Sequence, residues 1–224
     1  MRGDERIRAG LPSAPGVGRR PRDPEKTQAL ILAAAKAVFA RVGLGGARIE
    51  TIAEEGGVNK RLIYQYFESK DQLFQRVLED AWHDIRSAEA KLDLEHFPPV
   101  EAIRALMSFT WEYYQQHPEF MSLVNSANLH RARHLKDSEA FQHTHQGFTP
   151  MLQNILDRGV QSGEFRPDID AAQLHLTLAA IAYYYLNNRH TGELIFGFDF
   201  TSPEALKKRF EFNLQTILSL IRAQ

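Results

Sequence analysis

Three groups of residues in this chain have types and spacings that could do chemistry. The first runs from Arg48 to Lys70: Arg48, Lys60, Arg61 and Lys70 supply cations, Tyr64 and Tyr66 hydroxyls, Asn59 and Gln65 amides. Cations and hydroxyls bond phosphate oxygens and amides bond base edges, so this set suits duplex DNA. The second is histidine: His130 and His134 stand one helical turn apart, with His143 and His145 close behind, a spacing that could hold a divalent metal. The third is His145 with Asp157 and Glu164, groups able to move protons inside a helical cavity.

The second and third groups are weak. Histidines a turn apart are common on solvated helices, and the chain has no cysteine to complete a soft ligand set, so no metal is assigned. No glycine-rich phosphate loop, nucleophile elbow or carboxylate pair accompanies the third, so we expect neither an enzyme nor a cofactor. For the first group the plain alternative is that Tyr64, Tyr66 and Phe67 are core and the cations a solvated face; for Phe67 that alternative is accepted. The charge distribution favours DNA for the rest. Residues 1–80 hold 14 Lys and Arg against 11 Asp and Glu, whereas the whole chain is nearly balanced at 27 against 28. A polyanion would dock on the basic half.

The elements that would position these groups read as helices throughout. Residues 1–24 carry six arginines and four prolines with few large apolar groups, which predicts a disordered tail, able to act as an arm on DNA. Beyond Pro24, Leu32, Ala35, Phe39 and Val42 recur at helical spacing until Gly43. A short helix over Ile49–Glu55, a Gly56-Gly57-Val58 turn and an Asn59-capped helix over Lys60–Phe67 then give helix, tight turn, helix. Leu73, Phe74, Val77, Leu78, Ala81, Trp82 and Ile85 stripe the next helix. Five more follow: Pro98 to His117, Pro118 to Leu135, Ser138 to Gln161, Ala171 to Asn188 and Pro203 to Ile221, with Thr191–Phe200 read as a loop. The fold class is all-α, with a helix-turn-helix domain over 25–70 and a helical bundle over 71–224. No apolar run approaches the roughly 20 residues of a bilayer span, and a cytoplasmic protein is expected.

The segment GLGGARIETIAEEGGVNKRLIYQYFESKDQLF resembles the signature of the TetR family of regulators, with its glycine, Ile-Ala pair, Gly-Val turn and Tyr-x-x-Phe-x-x-Lys run. GEFRPDIDAAQL is similar to the family's linker into its dimerising helix, and the layout resembles its nine helices. The resemblance implies a transcriptional regulator, usually a repressor, that a small effector releases from a palindromic operator. It places phosphate contacts on Tyr64 and Lys70 and base-facing positions on Lys60, Arg61, Leu62 and Gln65. The chain departs from the pattern at Arg48, where a small hydroxyl is usual, at Asn59 in place of Ser, and at Glu68 in place of a frequent Pro. Arg48 cannot cap a helix but can reach phosphate. The HPEFMSLV stretch resembles a branch that governs catabolism of nitrogen-containing ring compounds.

One short reading helix covers few base pairs, so a two-fold homodimer is expected. Its face is predicted from Leu174, Leu178, Ile181 and Tyr185 on one helix and Phe210, Leu214 and Ile217 on the last. Trp111, Tyr114, Asn125, His145, Phe148, His175 and Tyr183 mix aromatic and polar groups as effector pockets do. They predict a small aromatic or heteroaromatic effector, stacked on Trp111 or Phe148 with Asn125 or His175 at its polar edge. The rival from another class is a helical ligand-binding protein or enzyme without sequence-specific DNA binding. Binding to anionic lipid through the arginine-rich tail or to RNA has less support, since no exposed aromatic pair on a sheet is present.

Overall fold

The computed structural model describes residues 23–223, the His145 side chain excepted. Its elements are α1 (Pro24–Gly46), α2 (Ile49–Glu55), α3 (Lys60–Phe67), α4 (Lys70–Glu89), α5 (Pro99–Gln116), α6 (Pro118–Leu129), α7 (Glu139–His145), α8 (Phe148–Gln161), α9 (Ala171–Asn187), α10 (Arg189–Phe196) and α11 (Pro203–Ile221). A single 3-10 turn covers Ala90–Leu92. Among the described residues the only extended pairing is an isolated bridge between Phe165 and Arg222. The all-α expectation holds.

Side-chain caps start several helices where the sequence places them. Asp23 accepts the Glu25 N–H at 3.1 Å, Asn59 that of Arg61 at 2.9 Å, Ser69 that of Gln72 at 3.1 Å and Asp170 that of Gln173 at 2.8 Å. Each such bond satisfies an orphan amide and is worth about 1 kcal/mol. Asp23 and Pro24 therefore belong to α1, not to the predicted tail; residues 1–22, and with them the proposed arm, lie outside the described residues.

The helices depart from the predicted layout at three places, two of which raise the count above nine. α6 ends at Leu129, not Leu135, because Arg131 and Ala132 turn left-handed (φ 56° and 49°). The helix predicted over Ser138–Gln161 is two, α7 and α8, separated at Gln146-Gly147. The loop predicted at Thr191–Phe200 holds α10, which stops at Gly197 in the left-handed conformation (φ 73°). The alternating phenylalanines there reflect packing across that stop, where Phe198 and Phe200 stack with ring centroids 4.8 Å apart.

α4 is the central element, packing on α1 and α3 at one end and on α5, α6 and α7 further along. Phe74 on α4 meets Phe39 on α1 edge to face, ring centroids 4.9 Å apart. The buried core is continuous from Ile31 to Ile221, so nothing in it marks residue 70 as a seam. α1 is long and apolar enough to cross a membrane by length and composition, contrary to the expectation for every segment. Its Ile31, Ala34, Ala35, Val38 and Phe39 are instead buried in this core.

Candidate DNA interface and effector cavity

The reading unit is built by two glycines and a small core. Gly57 takes φ 59°, which an L side chain rarely adopts, and turns the chain between α2 and α3. A Cβ on Gly56 would stand 3.1 Å from the Ile52 carbonyl of its own helix, a tight contact, and 3.4 Å from Ala34 of α1, an ordinary one. Ile52, Ile63 and Phe67 are buried beneath the turn. The opposite face of α3 presents Lys60, Arg61, Tyr64 and Gln65 to solvent, with Tyr64 49% exposed. Leu62 and Tyr66 are half-buried against the core, so their share in contact is partial.

Arg48 is exposed at the N-cap of α2 and makes no side-chain cap, as expected of arginine. Lys60 lies 3.2 Å from Glu50 in an open ion pair, which duplex phosphates can outcompete. The Asn59 oxygen is committed to its cap. Glu68 ends α3 at φ 58°, a conformation barred to proline, so the departure from the usual Pro follows the backbone.

Lys70 differs from its sequence-based placement. Its ammonium is half-buried and donates to the Leu44 carbonyl at 2.9 Å and the Ala47 carbonyl at 3.0 Å, leaving at most one hydrogen for phosphate. The same loop is gripped from the other side, where the Leu44 N–H donates to the Ser126 hydroxyl of α6 at 3.1 Å. Gly43, at φ 67°, lets α1 break there. We expect Lys70→Ala to weaken binding to every duplex alike and also to lower the unfolding temperature, the two lost charge-assisted bonds costing about 1–3 kcal/mol. Gln65→Ala should leave stability unchanged and relax preference at one base position. Selection of each variant on a duplex library, with thermal denaturation, checks both; equal effects of the two would contradict this division.

The residues predicted to line an effector pocket fall in separate places. Tyr114, Phe148 and His175 do come together, lining a small cavity of about 10 Å³ between α4, α5, α8 and α9 with Arg86, Glu89 and Thr110. Trp111 does not; it is buried between Tyr185 and Phe210, ring centroids 5.9 and 6.2 Å away. Asn125 and Tyr183 pair with each other between α6 and α9, the tyrosine hydroxyl donating, while the Asn125 amide donates to Asn187 at 2.6 Å. The His145 side chain lies outside the described residues.

Arg86 and Glu89 were missed because charges in the last turn of a helix read as a solvated face. They form a buried pair at 2.5 Å, with side chains only 12% and 7% exposed. Burial pushes the Glu89 carboxyl up to about 7 against the pull of Arg86, and burial raises the Tyr114 hydroxyl to about 12. Folded Glu89 therefore holds its proton where the unfolded chain has released it, near 4.5. Between those two values stability falls as pH rises, because the native state binds more protons. Glu89→Gln should flatten that decline, measured as urea midpoints from about pH 5 to about pH 8.

The predicted dimer residues need correction. Leu174, Leu178, Tyr185, Leu214 and Ile217 are buried within one chain, and Ile181 and Phe210 half-buried. Helical spacing marked a real apolar stripe, but it is the one turned to the chain's own core. The outer faces carry a second stripe: Leu176 and Tyr184 on α9 and Phe212 on α11 are each about 60% exposed. An open cleft of about 630 Å³, lined by Tyr184, Phe196, Phe198, Phe200, Arg209 and Phe212, continues it.

Among the described residues no group of three or more His, Asp or Glu could hold a metal. His130 bonds the Ser126 carbonyl at 2.8 Å, and the His134 ring packs edge-on against Phe74. Asp157 and Glu164 are bonded by Gln153 and Ser162.

Two family models match the chain. Residues 31–77 match the bacterial regulatory proteins of the tetR family, and residues 99–217 the tetracyclin repressor-like C-terminal domain. The chain is 37% identical over 189 residues to the HTH-type transcriptional repressor NicS of Pseudomonas putida, covering 84% of this chain and 89% of that protein. It is 30% identical over 176 residues to the HTH-type transcriptional regulator RutR of Escherichia coli K12, covering 75% and 78%. Among solved structures it is similar in fold to the transcriptional regulator SCO4942 of Streptomyces coelicolor, with TM-score 0.66, 21% identity and coverage of 87% and 98%. It is likewise similar to the ketosteroid transcriptional regulator KstR2 of Mycobacterium tuberculosis, with TM-score 0.64, 18% identity and coverage of 89% and 96%.

Proposed function

The chain belongs to the TetR family and is a DNA-binding transcriptional regulator, and we propose that it acts as a homodimeric repressor released from a palindromic operator by a small effector. The observation that carries this reading is the division of α3. Ile63 and Phe67 anchor it from below, while Lys60, Arg61, Tyr64 and Gln65 stand on the open side.

In this reading residues 25–70 form the DNA-binding domain and residues 71–224 the effector and dimer domain. Lys60, Arg61, Leu62 and Gln65 face bases; Arg48, Asn59, Tyr64 and Tyr66 meet the backbone; Lys70 braces the loop before α2 and supplies one further phosphate contact. The outer stripe of Leu176, Tyr184 and Phe212 supports pairing through α9 and α11, since exposed apolar area of this extent marks an interface. The aromatic and polar side chains gathered around Arg86 and Phe148 support an effector of one aromatic or heteroaromatic ring. The HPEFMSLV stretch supports target genes of nitrogen-ring catabolism. The protein works in the cytoplasm, on the nucleoid.

Selection of the purified protein on a random duplex library at physiological salt tests the reading. The expected result is an enriched palindrome whose half-sites lie a whole number of helical turns apart. No enrichment by a folded dimer would overturn it.

A further inference from the structure

The small cavity between α4, α5, α8 and α9 is lined by a buried ion pair, Arg86 with Glu89. Arg86 has its guanidinium 4.6 Å from the centroid of the Phe148 ring and 6.0 Å from that of Trp82. Its Nη1 donates to Glu89, but its Nε is buried and has no hydrogen-bond partner. Phe148 is the first residue of α8, a helix of 14 residues that opens without a side-chain cap. The guanidinium thus lies against the ring of the first residue of an uncapped helix, with the buried Glu89 carboxylate bonded to it. An unpartnered guanidinium edge in a buried place is costly, and the group that satisfies it best is a second, planar carboxylate bound side-on.

We propose that Arg86 is the anion subsite for the effector, taking the carboxylate of a monocyclic aromatic acid on its Nε edge while the acid's ring, coplanar with that edge, packs among the aromatic side chains that line the cavity. The proposal rests on the effector-responsive reading above. The space now present is about 10 Å³, so Tyr114, Phe148 and His175 must part to admit the ring.

Charge balance adds a second consequence. Arg86 and Glu89 together are neutral, so a bound carboxylate leaves a buried net charge of one unless a proton enters with it. Glu89 is the acceptor. Its carboxyl already sits near 7 through burial. The other titratable groups at the cavity are Tyr114 of α5, held protonated to about 12, and His175 of α9, whose ring lies 3.9 Å from that of Phe148. The reaction is protein plus carboxylate plus one proton from solvent, giving a complex with Glu89 neutral and hydrogen-bonded.

Calorimetric titration of the full-length protein tests this, using benzoate, its monohydroxy derivatives and the pyridine monocarboxylates, each beside its carboxamide. The titrations run at about pH 8 in two buffers of different ionisation enthalpy. At least one acid should bind while its amide binds about a hundredfold more weakly, and the buffer dependence should show uptake of about one proton. Glu89→Gln should retain binding without proton uptake. The double variant Arg86→Gln/Glu89→Gln keeps the buried site neutral and foldable, and should lose the acid by about a hundredfold at an unchanged far-ultraviolet spectrum. Amides binding as tightly as acids, a double variant that still binds, or no acid binding at all would overturn the proposal. Operator selection without ligand is independent of these results, so its success beside a failed titration would discard the anion subsite alone.

Discussion

Arg61→Ala should abolish specific operator binding at physiological salt while leaving the fold intact. Arg61 is exposed on the open side of α3, and what ties it to the structure is its backbone, whose N–H is capped by Asn59. Truncating the side chain therefore removes no core contact, and the stability change should stay within about 0.5 kcal/mol. On DNA the loss counts twice, once per half-site. At about 1–3 kcal/mol for each base or phosphate contact, the proposed dimer would forfeit about 2–6 kcal/mol, a weakening of roughly thirtyfold to twenty-thousandfold. Fluorescence anisotropy on the selected operator, paired with thermal denaturation, measures both quantities. Affinity retained within about threefold would show that α3 is not the reading element.

Gly159→Ala should be strongly destabilising. A Cβ at that position would lie 1.9 Å from Cδ2 of Phe165, inside the radius of the ring carbon. Phe165 cannot step aside easily. It is 2% exposed, its N–H donates to the Gly159 carbonyl at 3.0 Å, and it bridges to Arg222 at the end of α11. Either the ring leaves the core or α8 shifts, and we expect a cost of about 3–5 kcal/mol. For a chain of this size that corresponds to a fall in unfolding temperature of roughly 6–20 °C. Phe165→Leu on the Gly159→Ala background should restore part of the loss by shortening the obstacle. A Gly159→Ala protein as stable as the parent would mean that α8 and the 159–166 turn are far more compliant than their packing indicates.

The helix-turn-helix was legible because local rules and global fold agree there. Asn59 caps α3 as its type suggests, Gly57 turns where glycine is needed, and Ile52, Ile63 and Phe67 fill the core at helical spacing. The family membership read from that segment is borne out by both family models and by the NicS relative. Elsewhere the information was tertiary. No residue type announces the end of α6 at Leu129, since Arg131 and Ala132 are neither glycine nor proline; there the break shows in short-range bonds, Ala132 donating to the Ala127 carbonyl at 2.8 Å and the His130 ring on the Ser126 carbonyl. Periodicity found the apolar stripes of α9 and α11 but could not tell the stripe facing the core from the one facing out, because both are apolar. Arg86 and Glu89 look like any surface pair at three-residue spacing, and only the helices packed over them, α5, α8 and α9, make them a buried site.

The continuity of α4 has a mechanical meaning. Lys70 at its start holds the loop that supports α2, and Arg86, sixteen residues on, lies at the cavity. At 1.5 Å per residue these two points are about 24 Å apart on one unbroken rod. Swinging such a lever by about 5° carries its far end through roughly 2 Å, which in a two-fold dimer is applied at both reading heads in opposite directions. Stiffness is thus the property to vary: a glycine pair set into the exposed side of α4 between the two ends should leave each end able to bind its own partner, yet uncouple them.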